Sequence, residues 1–242
     1  MSDVDFTHWP TELLTPQASP FDPRPFTRSG GRTLGGLSRF TRTDRGFWIG
    51  SYKNIIFRRG QQSDQARAWT KLRTYLGGQA GLVAVPICST RYWAAEGFQD
   101  FTPGLYPHDD DTPFDDDTLY SEGRVHIEMA AFAPLSSTIV TLRLVDAPTA
   151  GGIRFSYQHA MYETGAVIEQ TGGDTYRVPV FPAIRQAIPA DAWLEADKPT
   201  VLCRLATDAE MDLEFPGAGM PRPTINFVEA VDVWNDLALE AA

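Results

Sequence analysis

The chain has few cysteines, and this shortage narrows the class of protein. Its 242 residues contain two, Cys88 and Cys203, which is too few for the disulfide framework of a small secreted domain. We expect both to be small, buried, apolar residues of a protein made in a reducing cytoplasm. A Cys88–Cys203 bridge is the alternative.

Basic residues are also scarce, with 21 against 31 acidic residues and a formal net charge of −10. Proteins that wrap nucleic acid neutralise phosphates with lysine and arginine, so this balance argues against specific nucleic-acid binding. Long apolar runs are lacking too, and none approaches the roughly 18 residues of a membrane helix. Residues 1–20 lack the basic and apolar regions of a signal peptide. We therefore expect no membrane insertion.

The motifs that carry catalysis or hold a cofactor are missing. The stretch SGGRTLGG lacks the Gly-Lys-Ser/Thr ending of a phosphate loop, and no Gly-x-Ser-x-Gly elbow occurs. The 4 histidines share no metal-ligand spacing with one another or with the cysteines. The acidic run Asp109–Asp117 lacks the glycine and the glutamate of a helix-loop-helix calcium site, which leaves a solvated loop or a simple cation clamp. We predict no catalytic residue, no metal and no cofactor, and hence no enzyme.

Strand and turn signals are abundant, with 18 prolines and 20 glycines, and they indicate an all-β protein with some helix. Gly46–Arg58 is rich in aromatic and β-branched residues, with a kink or bulge at Gly50. One helix follows, capped by Ser63 or Asp64 and ended by Gly77. Its apolar residues recur at helical spacing. They are Ala66, Trp69, Leu72 and Leu76.

The rest of the chain reads mostly as strands. An apolar strand over Ala80–Ile87 comes directly after the helix, and the later strands alternate apolar and polar residues. The predicted strands are Arg124–Phe132, Ser137–Val145, Gly152–Gln158, a hairpin turning near Gly172-Gly173, two strands around Thr207-Asp208, and a last strand from Pro223 to Trp234. A helical turn is expected from Pro182 to Pro189, and a polar tail ends the chain.

These signals divide the chain into three parts. Residues 1–30 hold five prolines and little periodicity, and we interpret them as an extended arm or an irregular entry segment. We expect its aromatic residues to dock on a protein surface, which in an oligomer could be a neighbouring copy; they are Phe6, Trp9, Phe21 and Phe26. Residues 31–88 and 199–242 form one β domain, and a self-contained antiparallel domain over 89–198 is inserted into it. The aromatic-rich stretch Ser89–Gly123 contacts a protein partner, packs internally, or stacks on sugars.

The order of several motifs resembles that of a known family. A helix reading ARAWTKLRTYLGGQAG runs into LVAVPI, and YRVPVFPAIRQAIPADAW, KPTVLCRLATDAEMDLEF and INFVEA come much later. This order is similar to that of the distal tail proteins of siphophage-type tailed bacteriophages and of related gene-transfer-particle tails. The similarity covers Gly46–Pro86 and Tyr176–Glu229, and it leaves out the first 30 residues and Ser89–Gly123.

The resemblance implies a mainly β protein: a β-barrel or sandwich ring domain with one α-helix and an inserted small antiparallel β-barrel of the oligonucleotide/oligosaccharide-binding type. It implies a virion structural protein at the tail tip, assembled in the host cytoplasm as a homo-hexameric ring. Its partners would be the tail tube protein and the baseplate hub protein, with a host-surface glycan as a further ligand of the inserted domain. The alternative function is a carbohydrate-binding β-sandwich. The candidate interface residues are Phe47, Trp48, Trp69, Tyr75, Trp93 and Phe101.

Overall fold

The computed structural model describes residues 6–32, 34–58, 60–87, 104–106, 120–122, 126–147, 149–213 and 220–240. Within these ranges the chain is mainly β, as predicted, with a closed antiparallel barrel and two helices. The acidic run Asp109–Asp117 and the residues Cys88, Trp93 and Phe101 lie outside the described residues.

The elements follow in chain order. The strands are β1 (Phe21–Arg32), β2 (Ser38–Tyr52), β3 (Val83–Pro86), β4 (Gly104–Tyr106), β5 (Tyr120–Glu122), β6 (His126–Met129), β7 (Ile139–Asp146), β8 (Arg154–Tyr157), β9 (Ala160–Thr164), β10 (Glu169–Gly172), β11 (Thr175–Phe181), β12 (Ala192–Glu195), β13 (Thr200–Leu205) and β14 (Ile225–Glu229). The helices are α1 (Gln62–Leu76) and α2 (Val231–Glu240). Among the described residues, strands β4 and β5 form a separate two-stranded sheet.

The first sheet joins strands from both ends of the chain. Its order is β1-β2-β14-β13-β3, and every pairing is antiparallel. Gly50 pairs regularly with Phe21 on one side and with Phe227 on the other, so the predicted bulge at Gly50 is wrong. A side chain at this position would overlap the Phe21 ring, which lies 2.2 Å from where a Cβ would be. The register shifts instead between Arg24 and Phe26.

Helix α1 packs on this sheet through apolar side chains at helical spacing. They are Trp69, Leu72 and Leu76. Gly77 ends the helix in the left-handed conformation with φ 56°, as predicted. The beginning differs from the prediction, because the helix starts at Gln62 and neither Ser63 nor Asp64 caps it.

The second sheet closes on itself. Its order is β10-β11-β7-β6-β12-β8-β9, and β9 also pairs with β11 at Thr164 and Val180. Six strands therefore form a closed barrel, whereas the oligonucleotide/oligosaccharide-binding barrel has five. The barrel strands all come from residues 126–195, inside the region 89–198 of the predicted inserted domain, whose boundaries stay a prediction. The β10–β11 hairpin turns at Gly173-Asp174, near Gly172-Gly173 as predicted.

Residues 6–32 are not a detached arm. Trp9 and Leu14 are buried in the core of the first sheet, and Phe21 begins β1 there. The predicted docking of Trp9 and Phe21 is therefore confirmed, on the core of their own chain, whereas Phe21–Arg32 is a regular strand where an irregular segment was expected. Pro23 and Pro25 hid strand β1 from the sequence analysis, because proline usually interrupts strands. Strand β1 tolerates them because it lies at the edge of the sheet, where its outer side needs no N–H donor.

The segment after β11 differs from the expected helical turn. The backbone N–H of Ala183 donates to the carbonyl of Asp44 at 3.1 Å, and that of Ile184 donates to Ser137 at 2.9 Å. These bonds to distant segments replace the local bonds that a helical turn needs.

The C-terminal predictions also need correction. Residues 206–213 form turns instead of a second strand, and the carbonyl of Met211 accepts the indole N–H of Trp69 at 2.9 Å. The expected polar tail is helix α2, whose Trp234 is buried against the barrel core with Leu237 beside it. The described residues therefore contain two helices, whereas the sequence predicted one.

A buried ion pair joins the sheet to the barrel. Arg185, which follows β11, places Nε 3.2 Å from Oε1 of Glu229 on β14. The two side chains are only 9% and 1% exposed. The other carboxylate oxygen accepts the backbone N–H of Trp48 at 2.9 Å, and the Arg185 guanidinium also donates to the Gly46 carbonyl. One ion pair thus holds β2, β14 and the barrel together.

Burial dominates the electrostatics of this junction. It raises the pKa of the Glu229 carboxyl, while the facing Arg185 opposes the rise. It also raises the pKa of the Tyr162 hydroxyl, which accepts the backbone N–H of Arg185 at 2.9 Å. Cys203 lies nearby as a free, buried thiol, as predicted, and burial raises its pKa well above the ordinary value.

We predict strong coupling between Arg185 and Glu229. Arg185→Leu should lower the free energy of unfolding by about 3–5 kcal/mol, because it leaves a carboxylate buried without its counter-charge. Arg185→Leu combined with Glu229→Leu should cost much less than the sum of the two single changes. Urea unfolding of the four chains of this double-mutant cycle measures the coupling energy.

The control is the exposed pair Arg73–Asp212. Its atoms are 2.8 Å apart, but its side chains are 56% and 61% exposed, so its coupling energy should stay below about 1 kcal/mol. Equal coupling energies for the two pairs would contradict the prediction.

Candidate protein-interaction surfaces

Two of the predicted interface residues belong to the core. Trp48 on β2 is buried, and its indole N–H donates to the carbonyl of Met161 at 2.8 Å. Trp69 on α1 is buried as well, with its indole N–H on Met211. A buried indole whose N–H is satisfied internally has no face left for a partner. The prediction that Trp48 and Trp69 contact a partner is therefore wrong.

Two other predicted interface residues, Phe47 and Tyr75, are at least partly accessible to solvent. Phe47 is half-buried, and its ring lies 5.2 Å from the ring of Phe26. Tyr75 is exposed on the outer face of α1, where it lines a shallow depression with Thr70 and Lys71. The structure does not bring Phe47 and Tyr75 into one contact cluster, since the first lies on β2 and the second on the helix.

A larger exposed surface extends from the first sheet. Strands β1 and β2 continue as a two-stranded ribbon beyond the point where β2 pairs with β14, which is limited to Ile49–Tyr52. We call residues 24–45 the distal ribbon. Every described residue in it is exposed to solvent. Its two strands pair with each other from Phe26 opposite Thr43 to Arg32 opposite Ser38.

The distal ribbon is basic in an acidic chain. It contains six arginines and one acidic residue, Asp44, which leaves 15 basic and 30 acidic residues in the rest of the sequence. The arginines are Arg24, Arg28, Arg32, Arg39, Arg42 and Arg45. The ribbon and the remainder of the chain therefore carry opposite net charges.

The distal ribbon also exposes large apolar side chains. They are Phe26, Leu34, Leu37 and Phe40. Isolated apolar side chains are common on protein surfaces, but several together on one exposed ribbon make it a candidate contact surface.

The base of the ribbon is held against the barrel. The guanidinium of Arg42 lies 5.1 Å from the centre of the Phe181 ring. The Asp44 carbonyl accepts the backbone N–H of Ala183, and the Gly46 carbonyl accepts the Arg185 guanidinium. These contacts set the direction in which the ribbon leaves the body.

The sheet edges differ in how they are covered. On the outer side of β3, Ala84 donates its N–H to the Thr7 carbonyl and accepts that of Trp9, each at 2.9 Å. The barrel is closed and its ring of six strands has no edge. Among the described residues of the first sheet, the two strands of the ribbon therefore pair with each other and with no further strand.

A separate cleft of about 720 Å³ lies between the N-terminal segment and the barrel. Trp193 lines it, 51% exposed, with its ring stacked on His126 at 4.1 Å. Glu195 and His159 line the same cleft, and the His159 Nδ1 lies 2.8 Å from the Thr200 hydroxyl. Sequence analysis missed this cleft, because its residues are far apart in the chain.

No metal site is formed by the part of the chain that the structure describes, since it contains no group of three His, Cys, Asp or Glu side chains that could hold an ion. The described segments also contain no helix long and apolar enough to cross a membrane.

The chain matches no family model and no curated protein.

We predict that the distal ribbon contributes little to the stability of the chain itself. Thr27 and Arg42 are paired across the ribbon, so residues 28–41 can be replaced by an Asn-Gly turn. This shortening should change the free energy of unfolding by less than about 1 kcal/mol, because the described residues that it removes are all exposed. Phe21→Ala, at the buried beginning of the same strand, should cost about 3–5 kcal/mol. Equal losses in urea unfolding would contradict the prediction.

Proposed function

We propose that the chain is a virion structural protein, a subunit of the adaptor ring that joins the tail tube to the baseplate hub of a long-tailed phage. The observation that carries the proposal is the distal ribbon, which is exposed on all sides and ends in apolar and arginine side chains. A strand pair of this kind is suited to binding protein surfaces, and a ring subunit needs such a surface for its neighbours.

The architecture supports the proposal. The first sheet takes strands from residues 21–86 and from residues 200–229, while the barrel strands come from residues 126–195. This arrangement agrees with the resemblance, which implies a ring domain interrupted by a small barrel. In this proposal the ring is a homo-hexamer at the virion tail tip, assembled in the host cytoplasm.

The proposal gives the chain a binding role rather than a catalytic one. The carboxyl group of Glu229, whose pKa is raised by burial, is removed from water and paired with Arg185. A buried, paired carboxylate of this kind holds the sheet and the barrel together, and no substrate reaches it without separating them. The partners above and below the ring would be the tube protein and the hub protein.

The proposal predicts a closed ring. Native mass measurement of the purified chain should give six copies, and electron micrographs should show an annulus. Antibody labelling should place the chain at the tip of purified tails. A chain that is absent from tails and shows no assembly would contradict the proposal.

Carbohydrate binding is the second candidate function, and the cleft at Trp193 favours it. One face of the indole stacks on His126 while half of the side chain stays exposed in the cleft. An exposed aromatic face beside the Glu195 carboxylate provides a stacking platform and a hydrogen-bond acceptor, which are the two groups that sugar recognition uses.

A glycan array tests this candidate. If the cleft binds sugar, Trp193→Ala should abolish the signal, because the stacking surface is lost. Tyr75→Ala, which removes an exposed aromatic ring outside the cleft, should leave it unchanged. A chain that binds no glycan contradicts carbohydrate binding and leaves the ring proposal standing.

A further inference from the structure

We propose that the distal ribbon of one copy docks head to tail on the acidic surface of a second copy of this chain, so that each copy donates one ribbon and receives another. The inference rests on the proposed function in one respect, since it supplies the contact through which copies of a ring subunit associate. It adds the partner, the polarity of the contact and its salt dependence.

The first step concerns the stability of the ribbon, which consists of two strands. A two-stranded ribbon is marginally stable in water, and three strands or a packed face are needed for independent stability. Among the described residues, the contacts between the ribbon and the barrel lie at the base of the ribbon, at Phe181 and Ala183. At the tip of the ribbon, the side chains of Leu34, Leu37 and Phe40 are exposed to solvent. A partner that covers this tip removes apolar surface from water.

The second step concerns charge. Two ribbons cannot pair with each other, because that would bring two sets of six arginines together. The rest of the chain has 30 acidic and 15 basic residues, so the surface that attracts the ribbon is the body of another copy. A contact between two different surfaces of the same chain is heterologous, and heterologous contacts generate closed rings when the rotation closes.

The third step concerns whether the partner of the ribbon is a protein or a nucleic acid. Arginines alone would also suit a phosphate backbone. The four exposed apolar side chains among them have no role against phosphates, whereas they match the buried centre of a protein interface. The net charge of −10 also repels DNA from the chain as a whole.

Sedimentation velocity of the full chain at low and high sodium chloride tests the inference. The wild type should associate at low salt and dissociate as salt rises, because salt screens the charge attraction. Arg28→Glu combined with Arg39→Glu should weaken association by about tenfold or more. The matched control, Arg177→Glu with Arg222→Glu, makes the same change of charge at exposed sites outside the ribbon. It should not weaken association.

A mixing experiment tests the polarity. A copy with residues 28–41 replaced by Asn-Gly lacks the ribbon tip but keeps the receiving surface. Added to wild type, it should accept one ribbon and end the assembly, so that small amounts shift the distribution to shorter species. If ribbons paired with each other, this copy would have no effect on the wild type.

The outcomes separate the inference from the proposed function. Rings that persist in the Arg28→Glu, Arg39→Glu chain overturn the docking and leave the ring proposal standing. A wild type that stays monomeric at every salt concentration, or that binds duplex DNA through the ribbon instead, overturns the inference. A wild type that neither assembles nor occurs in tails overturns both.

Discussion

A carboxylate and a guanidinium that are almost wholly removed from water, Glu229 and Arg185, connect the open sheet to the barrel. Burying two charges is costly, and the cost is offset only when the geometry is good and further hydrogen bonds satisfy the remaining polar atoms. The Trp48 backbone N–H and the Gly46 carbonyl supply those bonds. Because Gly46 also lies at the base of the distal ribbon, the same ion pair that unites the two sheets fixes the direction in which the ribbon leaves them.

The sequence predicted best where the signal is local. Helix α1 repeats apolar residues at helical spacing and ends at Gly77, and both features depend only on neighbouring residues. The hairpin near Gly172-Gly173 is likewise encoded by its own turn. Strand β6 alternates Ile127 and Met129 toward the core as its pattern indicates. The mainly β class follows from many such strands in succession, whereas the small barrel was implied by the family resemblance.

The sequence could not supply what depends on distant partners. Strand β9 was missed because its turn uses Gln158 and His159 with φ of 47° and 69°, where glycine or asparagine is the usual signal. The alternation of side chains along β2 does not indicate which face of the strand packs on the core. For this reason Trp48 was predicted to contact a partner, although it is buried. The cleft at Trp193 and the pair of Arg185 with Glu229 join residues that only the fold brings together.

The order of strands in the first sheet has a consequence for synthesis on the ribosome. Strand β2 is translated before all the barrel strands, whereas its inner neighbour β14 is translated after all of them. Strands β1 and β2 therefore wait until β14 has been synthesised before their sheet can close. During that time the barrel, whose strands all lie within residues 126–195, can fold first and serve as the surface on which the late sheet forms.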